Sequence, residues 1–205
     1  MRVWSILLAA SLGVASVPAQ SQGWFEYVNI ADRFGVNFPA EPTVEEFDYQ
    51  SEFDAFYPAR HYRVQRGPDL FMVTVVDFTN AERIHAEMDK TEAASGANSW
   101  INDQRASVAR AARQFRQRGG EVTYDAWGHI DLVEGHQLQM TNADRSRTYA
   151  GIYFNGNSRR LYVLEATIAP TAPPAGQFQQ SLRFLDDDGN RVRYRLSPNG
   201  CSLEP

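Results

Sequence analysis

The chain has 205 residues, 43% of them hydrophobic, a formal net charge of −5 and one cysteine. Losing the single charge of Arg2 with an N-terminal leader takes the net charge from −5 to −6, which opposes general attraction to nucleic acid or anionic membranes. Cys201 stands alone, so no internal disulfide forms and stability has to come from packing.

The first residues, MRVWSILLAASLGVASVPAQ, place Arg2 before an apolar run from Val3 to Val17 and end in Val17-Pro18-Ala19. That is the pattern of a secretory signal peptide cleaved after Ala19. The run is shorter than the roughly 20 residues of a membrane-spanning helix. Residues 1–19 are therefore expected to be a leader without membrane insertion, and residues 20–205 a single periplasmic or secreted domain.

Phe34, Val36 and Phe38 alternate with small or polar residues, which predicts a short strand, and Pro39 and Pro42 end it because proline cannot extend a ladder. Between Val44 and Tyr57 the pattern is one wet and one dry face, divided near Gln50-Ser51. A further strand runs from about Phe56 to Gln65, and Arg66-Gly67-Pro68-Asp69 reads as a turn. Leu70 to Phe78 is apolar on both faces and rich in β-branched residues, the mark of a central strand covered on both sides.

Glu82 to Thr91 predicts a short helix. Trp100 to Arg118 predicts a longer one, with Ile101, Val108, Ala112 and Phe115 on one face, Asn98 or Ser99 as its cap and Gly119-Gly120 as its stop. Five strand-like segments follow: 121–127, 129–133, 137–141, 147–155 and 160–168. Glu134-Gly135 and Asn155-Gly156-Asn157-Ser158 read as links of an antiparallel meander. After a proline-rich loop, Phe178, Leu182 and Leu185 predict a final short helix, and Arg191 to Leu196 an edge strand or tail. The whole predicts an antiparallel sheet covered by helices, an α+β class.

Several of these segments together resemble the PsbP-like family of secreted proteins: Trp24 with Tyr27, Phe38-Pro39 with Pro42, Val73 to Phe78, Leu161 to Ala166, and Phe178 to Leu185. The resemblance covers nearly all of the mature chain and implies an α/β/α sandwich with a central antiparallel sheet. Members of that fold include a thylakoid-lumen accessory subunit of the oxygen-evolving photosystem and a nuclear binder of the Ran GTPase, and both work by binding larger assemblies. The matching motifs are packing motifs, so no functional residue carries across.

Chemistry-bearing patterns are sparse. The segment His129 to His136 holds two imidazoles and two carboxylates, but a turn at Glu134-Gly135 sets the histidines roughly 13 Å apart, too far to share an ion. Asp186-Asp187-Asp188-Gly189-Asn190 lacks the alternating ligands and distal glutamate of a calcium loop. No G-x-S-x-G elbow or phosphate-binding glycine loop occurs. No catalytic residue, metal site or cofactor is nominated. Acidic residues crowd positions 45–54, whereas Arg105, Arg110, Arg113, Arg116 and Arg118 crowd the long helix. The expected function is a non-enzymatic exported binding or accessory module that docks an acidic protein surface on Arg105, Arg110, Arg113 and Arg116, because guanidinium groups pair bidentately with carboxylates. The alternative is a small-ligand binder, or a hydrolase, with its site in a cleft between sheet and helix. In that case Trp24, Phe25, Tyr27, Trp100 and Trp127 are the aromatic candidates for its lining.

Overall fold

The computed structural model describes residues 23–88, 96 and 98–193, together with the backbone of 195–196 and 202–203. The leader expected at residues 1–19, Cys201 and the end of the helix expected at 82–91 lie outside the described residues.

Seven strands form the main sheet, in the order β3-β4-β5-β9-β8-β7-β6, every neighbouring pair antiparallel. They are β3 (Thr43–Gln50), β4 (Phe56–Arg66), β5 (Asp69–Asp77), β6 (Glu121–Ile130), β7 (Val133–Thr141), β8 (Arg147–Asn155) and β9 (Arg160–Ile168). The doubly apolar segment sits in the interior of the order as β5, with Val73 and Val76 fully buried on opposite faces. One face holds Tyr62, Val73, Tyr162 and Leu164. The other holds Tyr57, Val76, Leu138 and Ile152.

Helices α1 (Ala81–Glu87) and α2 (Ser99–Gln117) cover the second face, where Val108, Ala111, Ala112 and Phe115 bury an apolar stripe. Gly119 and Gly120, at φ 84° and 93°, turn the chain out of α2 in a conformation that favours glycine. Asn98 stands before the helix in the left-handed region, and its side chain makes no capping hydrogen bond.

The opposite face carries a second sheet and not a helical layer, which overturns the expected α/β/α sandwich in favour of a sheet-dominated fold. Strands β1 (Phe25–Asn29), β2 (Phe34–Phe38) and β10 (Arg183–Phe184) pair in the order β1-β2-β10. The final helix shrinks to one turn, α3 (Gly176–Gln179). Ser181 is the physical reason. Its hydroxyl donates to the Phe178 carbonyl at 2.9 Å and accepts the Asn37 N–H at 3.1 Å, so the chain leaves the helix and joins β2. Phe184, read as part of a helix, then lies beside Phe34 across the strand pair.

Asp32 ties the two sheets together. Its carboxylate accepts from the Tyr62 hydroxyl and, at 2.7 Å, from Arg60, while its backbone carbonyl accepts the Tyr162 hydroxyl at 2.9 Å. The hairpin between β6 and β7 turns at Asp131-Leu132, both at positive φ, and not at Glu134-Gly135. Gly135 is instead a mid-strand position where the Tyr153 ring lies so close that a Cβ would stand 2.2 Å from it. Strands β11 (Arg195–Leu196) and β12 (Ser202–Leu203) pair with each other and do not join the main sheet.

Candidate functional site

Three of the four arginines nominated on α2, Arg110, Arg113 and Arg116, pair with carboxylates of the same chain. Arg110 and Arg113 both bind Glu52, and Arg110 also donates to the Gln50 carbonyl at 3.0 Å. Arg116 clamps Asp125 through Nε and Nη2 at 2.7 and 2.9 Å, and Arg118 holds Glu165 at 2.6 and 3.0 Å. Arg105 is exposed and makes no ion pair among the described residues. A guanidinium whose fork is already filled by a carboxylate offers no bidentate site to a partner. Arg116 is filled in this way, whereas Arg110 and Arg113 share one Glu52 oxygen through single contacts, so the expected docking face keeps Arg105 and part of these two forks.

The Arg116 pair has a consequence for acid stability. The guanidinium beside Asp125, with His136 as a second donor, holds its carboxyl down at about 2, below the ordinary value of about 3.9. A depressed folded-state value contributes stability that is complete above about pH 4 and lost as pH falls toward 2. Both partners are about a third exposed, so screening reduces the contribution to about 1 kcal/mol. Urea unfolding of Asp125→Asn should show that loss at pH 7 and a flatter acid limb below pH 4. An acid limb as steep as that of the unsubstituted chain would disprove the assignment.

His136 is thus committed to Asp125, with the Arg116 guanidinium beside it, and His129 stands opposite Glu134. Among the described residues no three His, Cys, Asp or Glu side chains gather to hold a metal ion. The Asp186–Asn190 segment closes on itself, since the Asp186 carboxylate accepts the Asp188 and Asn190 N–H groups at 3.0 and 2.8 Å.

Beneath α1 and α2 lies a buried polar cluster that sequence reasoning missed. Asp103 Oδ2 accepts from Ser51 Oγ at 2.6 Å and Tyr57 OH at 2.9 Å, and lies 3.0 Å from His85 Nε2. His85 Nδ1 is 3.0 Å from Ser99 Oγ. Hydroxyl, imidazole and carboxylate stand in the order of a nucleophilic relay. However, Ser99 is 6% exposed, His85 5% and Asp103 1%, so the hydroxyl is closed to substrate. Burial, followed by the neighbouring Asp103, pushes the Tyr57 hydroxyl well above its ordinary value. The cluster joins β4, α1 and α2. Its signal was the spacing of Ser99, Asp103 and Ser107, which puts three polar side chains on the inward face of one helix.

Two clefts flank the main sheet. On the α2 side, a space of about 260 Å³ is lined by His61, Thr74, Glu165 and Arg118 with Phe47 and Phe115. Its polar groups already bind one another. His61 Nδ1 meets Thr74 Oγ1 at 2.9 Å, Arg118 fills the Glu165 carboxylate, and Phe47 stacks on the imidazole at 4.1 Å. Burial pushes the His61 ring below the usual histidine range.

On the opposite face, a cleft of about 430 Å³ opens between the end of the main sheet and α3. Phe71 of β5, Ile168 of β9, Phe178 of α3 and the rigid Pro173-Pro174 form its walls, with Trp24 over Phe71 at 5.1 Å, edge to face. Two charged groups line it, Arg66 and Asp69, cross-strand neighbours at the β4–β5 turn. Asp69 Oδ1 accepts the Ala169 N–H at 2.7 Å and so holds the loop that closes the cleft. Arg66 makes no hydrogen bond or ion pair with another described residue. Of the aromatics nominated for a cleft, Trp24 lines this one. Arg66 had been read only as part of a turn.

No family model, curated protein or solved structure matches the chain.

Proposed function

We propose that this is an exported, non-enzymatic binding protein whose ligand is a small apolar carboxylate held in the Trp24–Arg66 cleft. The observation that carries the reading is the cleft's composition: aromatic and proline walls with one guanidinium that no described residue engages. Its volume falls in the range of small-molecule sites, which combine apolar walls with a few polar groups that fix orientation. Arginine pairs with a carboxylate through two parallel hydrogen bonds, and Asp69 is partly occupied by the backbone of the covering loop. The leader expected at residues 1–19 supports export to the periplasm or beyond.

The mature protein should be stabilised against heat by octanoate more than by octanol, and by phenylpropionate more than by phenylpropanol. Arg66→Gln should weaken the carboxylates about tenfold, the worth of one charge-assisted contact, and leave the alcohols unchanged. Trp24→Ala should weaken both. If neither carboxylate stabilises the protein, or if Arg66→Gln changes acid and alcohol alike, the reading fails.

A further inference from the structure

The two edges of the main sheet are built differently. Edge strand β3 carries exposed Glu45, Glu46 and Asp48, charges that discourage another strand from pairing with it. Edge strand β6 is ten residues long and presents Val122, Tyr124 and Trp127 at 40, 46 and 66% exposure. An edge of this length and apolarity invites strand pairing.

The hairpin geometry shows which backbone groups are offered. In a two-residue turn with both residues at positive φ, as Asp131 and Leu132 are, the flanking pair Ile130 and Val133 closes with hydrogen bonds. Hydrogen-bonded and non-bonded pairs then alternate along an antiparallel ladder. Asp125, Trp127 and His129 therefore turn their N–H and C=O groups away from β7, toward open solvent at the sheet edge. Their side chains share the α2 face, because they stand opposite Leu138, His136 and Glu134. Tyr124, Ala126, Gly128 and Ile130 share the other face.

Read outward from Trp127, the segment Tyr124-Asp125-Ala126-Trp127-Gly128-His129-Ile130 is chemically symmetric. A small residue flanks the tryptophan on each side, then an acid on one side and an imidazole on the other, then an apolar side chain on each. The same strand running antiparallel meets this pattern residue for residue: tryptophan on tryptophan, small on small, acid on imidazole and apolar on apolar. We propose that a second copy of this chain pairs along β6 about a two-fold axis through Trp127, forming a homodimer. In that register Trp127 lies beside its counterpart, Asp125 faces His129 of the other copy, and Tyr124 faces Ile130. Residues 125, 127 and 129 of both copies exchange about six backbone hydrogen bonds. Ala126 and Gly128 oppose each other, so the sheet continues without crowding.

Sedimentation of the mature protein tests this directly: a dimer at micromolar concentration is expected, and a monomer at every concentration overturns the proposal. Trp127→Lys sets two ammonium groups side by side at the axis and should raise the dissociation constant tenfold or more, since like charges directly opposite are unfavourable. An unchanged constant places the interface elsewhere. Register is read by oxidation in a Cys201→Ser background. Paired Cα atoms about 5.5 Å apart suit a disulfide, so Trp127→Cys should cross-link rapidly, whereas Ala126→Cys, which faces Gly128, should not. Cross-linking through 126 in place of 127 overturns the register.

Discussion

Replacing Asp103 with alanine is expected to lower the free energy of unfolding by about 3–5 kcal/mol, the cost of removing one partner from a buried polar or ionic cluster. The substitution leaves the Ser51 hydroxyl, the Tyr57 hydroxyl and His85 Nε2 without their shared acceptor in a site where water does not reach them. Each group left without a partner costs about 1–3 kcal/mol, and the contact between Tyr57 OH and His85 Nε2, 3.0 Å apart, recovers part of the sum. Asp103→Asn keeps one carbonyl oxygen among the three donors and should cost less. Urea unfolding of the two variants measures the difference through the midpoint at constant slope. A loss under about 1 kcal/mol for Asp103→Ala would mean that the cluster is not what joins α1 and α2 to β4.

The second large effect is expected at Phe178. This ring is fully buried and packs against Phe38 at 5.5 Å, Phe71 at 5.4 Å and Trp24 at 6.3 Å, where the small sheet, the main sheet and α3 converge. Phe178→Ala removes that contact and leaves a cavity, and should cost about 3–5 kcal/mol. Because the same ring is a wall of the Trp24–Arg66 cleft, the proposed binding of octanoate should weaken as well. Phe178→Leu restores much of the volume and should recover most of the stability. If alanine costs less than about 1 kcal/mol, α3 does not anchor the small sheet to the core.

Much of the fold is legible in the chain because it is written in local periodicity. The alternation at Phe34, Val36 and Phe38, the doubly apolar run that became β5, and the stripe Val108, Ala112, Phe115 each report their own burial. They do so through side-chain spacing, which needs no knowledge of the rest of the molecule. The misreadings share a cause. Phe178, Leu182 and Leu185 have helical spacing, but Ser181 exchanges hydrogen bonds with Phe178 and with Asn37, a residue 144 positions away. Glu134-Gly135 resembles a turn, but the glycine is required for close approach of the Tyr153 ring, and the turn falls three residues earlier.

The candidate sites were less legible for the same physical reason. The arginine crowding on α2 is plain in the sequence, whereas the pairing of most of these arginines with Glu52, Asp125 and Glu165 depends on residues up to 61 positions distant. The Trp24–Arg66 cleft draws on separate segments between residues 24 and 178, each of which reads alone as packing or turn. What the sequence by itself determined is the extended or helical character, and the buried face, of those segments whose periodicity no distant contact overrides, since these follow from interactions among near neighbours. What only the tertiary structure decided is that a second sheet and not a helix covers one face, which charges are already paired, and where the Arg66 guanidinium meets an apolar hollow. Pairing and concavity are relations between distant parts of the chain, and no local pattern encodes them.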